Sequence, residues 1–570
     1  MLGRLLLSCC IVAAANIIGA AAFGTTGQQP SATPPSRLAA QPDESPPVEP
    51  SALPLITPSP AATATPPGPE PTVLPSMPPV TPPPPQPQPV VLATASIIAQ
   101  LGRLNTVHVD SPPSGILTLS GFDPQIVRAV FNAVDRTVDI TGLHTGTTTI
   151  TATDLDGLTA TLAVRVEIIA GRVADSARAT ITGNPAGPDF VTEAAVAAVR
   201  AVAYPDSGAQ LTIDASAVND AHTLATDDVA VVHVPVSIAG DGMLTLQKTV
   251  AVTVTNIAQP RLAPRYLLVS DYPETLTENG TLFYADVNPD APARLLYYHY
   301  AQKPETRRVI VKVQNNGVVS SLVQLIAGVA GPDSNVLAAG HLATRRYLER
   351  ESANEGQIFE VPPHATLNVL DQEMPPETLI TGVMQLRVVS GDGVRVALVA
   401  QDAGDSPVQP ISDTLLLSAV RHARGVYNVP DFFYDETYTI GDPATVLTIG
   451  KLPLPNLVQG EVLGGDYGVK QSATVTLLNP GPTDARVGMW FEPRGGRATG
   501  TFSIDGQLLQ IHAVDFGHDE LLQSFIVPAG GFHQVSVTTM PEGGSSYPVN
   551  VIFSSTPPAA GSWNQSTFVY

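Results

Sequence analysis

The stretch Thr141–Val164, "TGLHTGTTTITATDLDGLTATLAV", decides the fold class of this chain of 570 residues. Threonine and aliphatic residues alternate on both sides of "DLDG", which is the period of a half-buried β-strand. Asp154, Asp156 and Gly157 supply the side chains and the backbone freedom that a tight turn requires. The stretch therefore predicts an antiparallel hairpin. A calcium loop would need further carboxylates at fixed offsets and a closing acidic ligand, which do not follow.

The same residue pattern continues along the chain: short alternating apolar runs are separated by Gly, Pro, Asn and Asp. Two segments have a helical pattern instead. One is Asp189–Tyr204, with Asp189 as its N-cap, and the other is Ser334–Ser352, which Gly340 weakens. We therefore expect a mainly β, multi-domain protein with Ig-like β-sandwich modules and one small α+β module, after a signal peptide and a Pro-rich disordered linker.

The first residues have the pattern of a secretory signal peptide. Arg4 precedes an apolar run, Leu5–Ala22, and Ala20 and Ala22 form a small-x-small cleavage site. We expect cleavage after Ala22; an uncleaved membrane anchor and a lipoprotein are the alternatives. The protein is therefore predicted to be extracellular or at the cell surface.

Cysteine content and charge restrict the chemistry and the partners. Cys9 and Cys10 are the only cysteines and lie in the signal segment, so the mature chain would contain no disulfide, thiol nucleophile or cysteine zinc site. The formal net charge is −22, whereas nucleic-acid binding needs a basic face and anionic lipid attracts a polybasic patch. We expect no nucleic acid and no membrane contact beyond the signal or anchor segment.

A proline-rich tract follows the signal and is densest over residues 28–89. Proline at this density cannot supply the backbone hydrogen bonds of helices or sheets and favours an extended polyproline II chain. A disordered stalk that holds the modules away from a membrane or wall is the functional interpretation; a disordered leader without a special role is the alternative.

A resemblance to known modules covers about residues 95–169. The part Asp123–Val166 resembles bacterial Ig-like modules and also the N-terminal domains of pilus and secretin proteins. The matching residues are Asp123, Pro124, Ile126, Val127, Ile140, Gly142, Gly146, Thr147, Thr148 and Ile150. The resemblance implies a β-sandwich, and secretin function is not implied because no secretin pore domain follows.

An internal repeat occupies the C-terminal half. Val309–Val329 and Ala473–Pro493 each contain a strand, an Asn-x-Gly turn and a strand. A Val-Pro turn follows each copy, and Met374 and Met540 lie 13 residues after the valine of that turn. Two related β-sandwich domains explain this repeat, and their resemblance to Ig-like domains of bacterial surface proteins is architectural.

These observations predict seven segments. They are a signal peptide (1–22), a Pro-rich disordered stalk (23–92), an Ig-like or pilus-N-terminal-type β domain (93–169), a small α+β domain (171–257), a β-sandwich (258–403), a connector (404–424) and a related β-sandwich (425–570).

Two constellations contain metal-ligand residue types. The first, "HAVDFGHDE", could bind a divalent cation, although a polar hairpin is the alternative. Its residues are His512, Asp515, His518, Asp519 and Glu520. The second, "DVNPD", has Asp286, Asn288 and Asp290 at calcium-loop offsets but lacks the glycine and the closing acid, so we interpret it as a turn.

A third constellation, Tyr297, Tyr298, His299 and Tyr300, could form an aromatic platform for a glycan or could pack as ordinary strand residues. The common motifs for nucleotide binding, hydrolysis and metalloprotease chemistry are absent from the sequence. We therefore predict no catalytic, cofactor-binding or metal-binding residues, and no cofactor.

The sequence favours a non-catalytic secreted or cell-surface multi-modular protein with a structural, adhesive or binding role. Its expected partner is a cell-envelope protein or a glycan. The alternatives are an accessory protein of pilus or envelope assembly, which rests on the resemblance above, and a secreted enzyme with an unfamiliar site.

Overall fold

The computed structural model describes residues 88–111, 116–276, 279–289, 291–301, 304–404, 424–457 and 462–558. The predicted signal peptide, the predicted stalk up to residue 87 and most of the predicted connector lie outside these residues. The protein is mainly β and is built from several sheets, as predicted.

The first described unit is a β-sandwich, which we call the N-terminal sandwich. Its strands are β1 Val91–Leu92, β2 Ser96–Gln100, β3 Leu104–Ser111, β4 Thr118–Ser120, β5 Val127–Asn132, β6 Thr137–Gly142, β7 Gly146–Thr153 and β8 Thr159–Ile169. One sheet has the order β1-β3-β6-β5; in the other, β8 pairs with β7, β7 with β4, and β2 lies parallel to β8. Aliphatic side chains from both sheets form the core.

The hairpin predicted from "DLDG" is confirmed. Strands β7 and β8 pair antiparallel up to Thr153 opposite Thr159. Asp154 Oδ1 accepts hydrogen bonds from the backbone N–H groups of Asp156 (3.0 Å) and Leu158 (2.8 Å). Gly157 has φ 82°, a conformation that favours glycine. Asp154 therefore holds the turn together, which is the Asx chemistry expected of a tight turn.

The middle module combines one helix with a small set of strands. Its elements are β9 Gly171–Val173, β10 Ser176–Thr182, α1 Pro188–Ala201, β11 Ala203–Pro205, β12 Ala209–Ile213, a short 3₁₀ helix Ala215–Ala217, β13 Val229–Gly240, β14 Met243–Leu244 and β15 Leu246–Asn256. Buried residues of α1 pack on β10, β13 and β15. Strand β14 pairs with β8 and so joins this module to the N-terminal sandwich.

The prediction of Asp189 as the N-cap of α1 is wrong. The cap residue is Gly187, and Pro188 occupies the first turn, where its missing N–H and fixed φ cost nothing. The Gly187 N–H donates to Glu355 Oε1 at 2.7 Å. The carboxylate at this helix end therefore comes from a residue that is distant in sequence.

The next unit is the first sandwich. Its elements are β16 Tyr266–Thr275, β17 Gly280–Val287, β18 Ala293–Tyr300, β19 Arg307–Asn315, β20 Ser321–Asp333, α2 Val336–Ala353, β21 Gly356–Val361, β22 Thr366–Met374, β23 Leu379–Ser390 and β24 Val394–Asp402. Asn335 caps α2, with its side chain accepting from the Ala338 N–H. One sheet has the order β17-β24-β19-β22.

The last unit is the second sandwich, which follows one short strand, β25 Arg424–Tyr427. Its strands are β26 Asp431–Thr439, β27 Thr445–Ile449, β28 Lys470–Leu478, β29 Ala485–Pro493, β30 Ala498–Ile504, β31 Gln507–Val514, β32 Glu520–Val527, β33 Phe532–Thr539 and β34 Val549–Ser554. They form sheets with the orders β26-β28-β33-β30-β31 and β27-β34-β29-β32.

One sheet of ten strands runs through the middle module and the first sandwich. Its order is β12-β13-β15-β10-β21-β20-β23-β18-β16-β25. The link is the antiparallel pairing of β10 with β21, where Thr180 lies opposite Ile358. The sheet thus crosses the predicted boundary at residues 257 and 258, and it also includes β25 at the predicted start of the last domain. The exact domain bounds stay a prediction.

The two halves of the internal repeat have matching strand pairings. Strand β20 pairs with β21 and β23, as β29 pairs with β32 and β34, and β19 pairs with β22, as β28 pairs with β33. Strand alternation predicts that Val309, Val311 and Val313 face one core and Val475 and Leu477 the other, and this is confirmed.

A buried asparagine makes the same three hydrogen bonds in each half. Asn315 Nδ2 donates to the carbonyls of Val319 (2.7 Å) and Val361 (2.9 Å), and its Oδ1 accepts from the Gly317 N–H at 2.8 Å. Asn479 Nδ2 likewise donates to the carbonyls of Thr483 (2.8 Å) and Val527 (3.0 Å), and its Oδ1 accepts from the Gly481 N–H at 3.0 Å. The Asn-x-Gly turn is therefore a structural element common to both halves.

Replacing Asn315 or Asn479 with alanine should destabilise the sandwich that contains it. Each change leaves the carbonyl of a fully buried valine, Val361 or Val527, without its donor, at a cost on the order of 1–3 kcal/mol. Chemical denaturation measures the effect, with Asn316→Ala as the control because Asn316 is exposed in the same turn. Equal, small effects at Asn315 and Asn316 would show that the buried hydrogen bonds do not support the turn.

Candidate functional site

The histidine and carboxylate residues of "HAVDFGHDE" do not form a metal site. His512 lies in β31, and the following residues turn at Gly517, whose φ is 79°, before β32 begins in the opposite sheet. Asp515 lies beside Arg497, with Nε–Oδ1 at 3.4 Å. Within the described ranges, no group of three or more His, Cys, Asp or Glu side chains could hold a metal ion.

The "DVNPD" residues also serve local structure. Asp286 accepts a hydrogen bond from Arg395 Nε at 2.8 Å, and the Ala291 N–H bonds to the Asn288 carbonyl, as in a turn. Asp290 lies outside the described residues. A turn is the interpretation that these contacts support.

Of the two interpretations of Tyr297–Tyr300, a glycan platform or ordinary strand packing, the contacts support strand packing. These residues form the end of β18, which lies between β23 and β16 inside the ten-stranded sheet. Tyr297 and His299 are fully buried toward the core of the first sandwich, where the Tyr297 hydroxyl bonds to Gln372. Tyr298 packs on the other face with α2. Both faces of the strand are covered, so the rings of Tyr297 and Tyr298 are not available to stack on a sugar, and Tyr300 is partly buried against Tyr298 and its neighbours.

The most elaborate polar site in the described structure is a contact between the two sandwiches, which we call the sandwich joint. It comprises Arg294 on β18, His341 on α2, Asp431 at the start of β26, Gly468, and the loop 540–545 that follows β33. Helix α2 lies on β20 and β23 and also contacts β30 of the second sandwich.

Arg294 is fully buried at one end of the sandwich joint. Its guanidinium donates to Asp431 Oδ1 (2.8 Å) and to the carbonyls of Pro430 (2.5 Å) and Gly468 (3.1 Å), all in the second sandwich or its approach. Its Nε donates to the Tyr347 hydroxyl of α2 at 3.0 Å. Burial alone would lower the pKa of Arg294, but Tyr347 and Asp431 outweigh it and raise the pKa. A buried charge with all these partners fixes one sandwich against the other.

Glu542 is the buried acid at the other end of the joint and has no exposed surface. Its carboxylate accepts hydrogen bonds from the hydroxyls of Thr499 and Thr501 on β30, the latter at 2.7 Å. His341 of α2 lies against the same carboxylate, with Nδ1–Oε2 at 3.0 Å. Lys470 Nζ and Glu351 Oε1, 2.6 Å apart, add an ion pair between β28 and α2.

Two glycines bring the backbones together between these charged ends. A Cβ added at Gly340 would lie 1.6 Å from the Gly543 carbonyl oxygen, and a Cβ added at Gly543 would lie 2.7 Å from the Tyr298 ring. The sequence pattern indicates only that Gly340 weakens α2. In the structure, this glycine is the place where the second sandwich meets the helix.

Gly340→Ala should weaken the sandwich joint although alanine favours helix formation by about 1 kcal/mol. The new methyl group displaces the Gly543 backbone, and such overpacking typically costs about 1–3 kcal/mol. We expect a lower midpoint of thermal unfolding. Gly464→Ala is the control, because a Cβ there meets nothing within 4 Å; a Gly340→Ala variant as stable as this control would contradict the close approach.

A second polar feature is a cavity of about 510 Å³ where the middle module meets the first sandwich. Gly183, Asn184, Thr226, Asn354 and the segment 257–261 line it. Asn354 Nδ2 donates to the Gln259 carbonyl at 2.8 Å, and Arg387 donates to the Pro260 carbonyl at 2.7 Å. These bonds fasten the segment between the two units to the ten-stranded sheet.

Within the described part of the chain, no helix is long and apolar enough to cross a membrane. The predicted signal or anchor segment lies outside that part.

No protein-family model matches the chain, and no curated protein matches it. Among solved structures, the Bacteroides ovatus mixed-linkage glucan utilization locus protein SGBP-B, in complex with a heptasaccharide, is 12% identical over 53% of this chain and 70% of that chain, with a TM-score of 0.13. The fibronectin(III)-like modules of Clostridium thermocellum CbhA are 14% identical over 29% of this chain and 94% of that chain, with a TM-score of 0.15.

The insect immune protein hemolin is 9% identical over 50% of this chain and 76% of that chain, with a TM-score of 0.16. All three likenesses are too weak to carry an argument about function, and no pilus-specific family is shown. The architecture itself defines the class: a multi-module protein of Ig-like β-sandwich character.

Proposed function

We propose that this chain is a non-catalytic secreted or cell-surface protein whose modules form a structural, adhesive or binding scaffold. The observation that carries the proposal is the sandwich joint. There the buried charges Arg294 and Glu542 bind elements of two sandwiches to each other. Such groups, when they serve catalysis, instead line a cleft that a substrate can enter.

The ten-stranded sheet supports the same proposal. Backbone pairing of β10 with β21 continues the sheet from the middle module into the first sandwich. Together with the joint, it gives a chain of modules that transmits load or presents a surface in a fixed arrangement. A cell-envelope protein or a glycan is the partner class we propose for that surface.

Fractionation of native cells tests the proposal, with and without inhibition of signal peptidase. We expect the mature chain in the medium or on the surface, where added protease reaches it, and a longer precursor when the peptidase is inhibited. Recovery in the cytosol in both conditions would contradict the proposal.

The same fractions separate the alternatives. Purified chain that binds isolated envelopes and leaves their polymers intact supports the scaffold. Co-purification with pili would replace it by the assembly-accessory alternative, and release of soluble fragments from the envelopes would replace it by the secreted-enzyme alternative.

A further inference from the structure

We propose that His341 and Glu542 form a pH-sensitive latch in the sandwich joint, closed at mildly acidic pH and weakened as the pH rises. The latch is independent of where the protein acts and of what it binds. It rests on the geometry around one imidazole ring that lies between the two sandwiches.

Both nitrogens of the His341 ring face acceptor oxygens. Nδ1 lies 3.0 Å from Glu542 Oε2, and Nε2 lies 3.1 Å from Gln510 Oε1 on β31. In this orientation of the Gln510 amide both partners are oxygens that accept hydrogen bonds, so the doubly protonated, cationic ring satisfies both contacts together. A neutral ring satisfies one contact and turns a lone pair toward the other oxygen.

The neighbours of the latch make His341 the cation that balances a buried acid. Glu542 is fully buried, and its other donors, Thr499 and Thr501, are neutral hydroxyls. The charged groups that face His341 are Glu542 itself and Arg345, one turn further along α2, which repels the cation. Loss of the proton therefore leaves the Glu542 carboxylate buried with weaker compensation.

The pKa of His341 is shifted in the direction that this geometry requires. Burial alone would lower it, but the hydrogen bond and the charge of Glu542, with a smaller contribution from Gln510, outweigh burial and raise the pKa above its ordinary value. A raised pKa means that the folded joint holds the proton more tightly than the unfolded chain does. The stabilisation is complete below about pH 6.5 and is lost as the pH rises through the folded-state pKa.

The other ion pairs of the joint contain no histidine. Arg294–Asp431 and Lys470–Glu351 hold the sandwiches when His341 is neutral, so the latch loosens one end of the joint and leaves the other in place.

Two buried acids beside the sandwich joint also respond to pH. Asp271 interacts with Tyr298 and Tyr467, and Asp466 precedes Tyr467, whose hydroxyl donates to the Ser545 carbonyl. Burial raises the pKa of Asp271, against the opposing charge of Arg424, and of Asp466, in each case to about 7. Each of them makes the folded protein less stable as the pH rises toward 7, so the test must be local and a His341 variant must assign the effect.

Backbone hydrogen exchange beside Glu542 is the local test. The Thr499 N–H bonds to Ser545 Oγ, and the Ser545 N–H bonds to the Glu542 carbonyl, so both amides report on this loop. In the full chain, after correction for intrinsic rates, we expect exchange at these amides to be faster at pH 8.5 than at pH 6, because the pKa of His341 is raised in the folded joint. Equal protection at both pH values would overturn the latch.

Variants assign the effect. His341→Gln should remove the pH dependence, whereas His512→Gln, at an exposed histidine of neighbouring β31, should keep it. A His341→Gln variant as pH-dependent as the parent would assign the effect to another group and overturn the latch. Should His341→Gln not fold, titration of the His341 ring by NMR decides, because a midpoint below 6.5 would also overturn it.

Discussion

Val311→Asp is expected to unfold the first sandwich. Val311 is 1% exposed at the centre of β19, where it lies opposite Leu398 and Leu370 on the neighbouring strands. An aspartate there must bury a carboxylate among aliphatic side chains or expose the core to water. We expect a loss of about 5 kcal/mol or more, which equals the whole stability of many domains.

Circular dichroism and chemical denaturation measure this loss. The matched control is Val318→Asp, the same substitution at a valine that is 80% exposed in the turn after β19. The control should change the free energy of unfolding by no more than about 0.5 kcal/mol. Similar effects at the two positions would show that β19 does not belong to a buried core.

Arg294→Met should separate the two sandwiches without unfolding either of them. The change removes the cation that pairs with Asp431 and the donor to the Pro430 and Gly468 carbonyls. Breaking one side of a buried ion pair typically costs about 3–5 kcal/mol, because the other charge stays buried without its partner. We expect the contact between the sandwiches to become susceptible to protease, with a lowered unfolding midpoint.

A second substitution tests this explanation. Asp431→Asn in the Arg294→Met background removes the uncompensated charge, so it should restore part of the lost stability. Arg497→Met is the control, because Arg497 and Asp515 form an exposed pair, and such pairs contribute about 0.2–1 kcal/mol. An Arg294→Met variant no weaker than this control would contradict the assigned role of Arg294.

Local periodicity was sufficient to predict the strands, because adjacent residues of a strand point to opposite faces of the sheet and so alternate between apolar and polar. The "DLDG" hairpin and the inward valines of β19 follow from it directly. At Tyr297–Tyr300 the periodicity left two interpretations open, because aromatic and apolar residues are nearly continuous there. Such runs are typical of strands covered on both faces, and that feature of the sequence could have excluded a surface platform.

Contacts between distant residues could not be predicted in this way. Three contacts join residues far apart in sequence. They are the hydrogen bond from Gly187 at the start of α1 to Glu355, the pairing of β10 with β21, and the contact of His341 with Glu542. The sequence contains a weak indication for Arg294, because an arginine inside an apolar strand needs polar partners when it is buried. Its charged partner, Asp431, lies in the other sandwich, so no local pattern identifies it.

The most direct test of the scaffold is the distance between the two sandwiches in solution. Spin labels on Val318→Cys and Phe532→Cys, both exposed, place one probe on each sandwich; Cys9 and Cys10 are replaced with serine so that labelling is specific. If the sandwich joint fixes the two sandwiches relative to each other, pulsed electron paramagnetic resonance at pH 6 gives one narrow distribution of distances between the labels. The Arg294→Met substitution should broaden that distribution. A broad distribution in the parent protein, unchanged by Arg294→Met, would contradict a fixed arrangement of the two sandwiches.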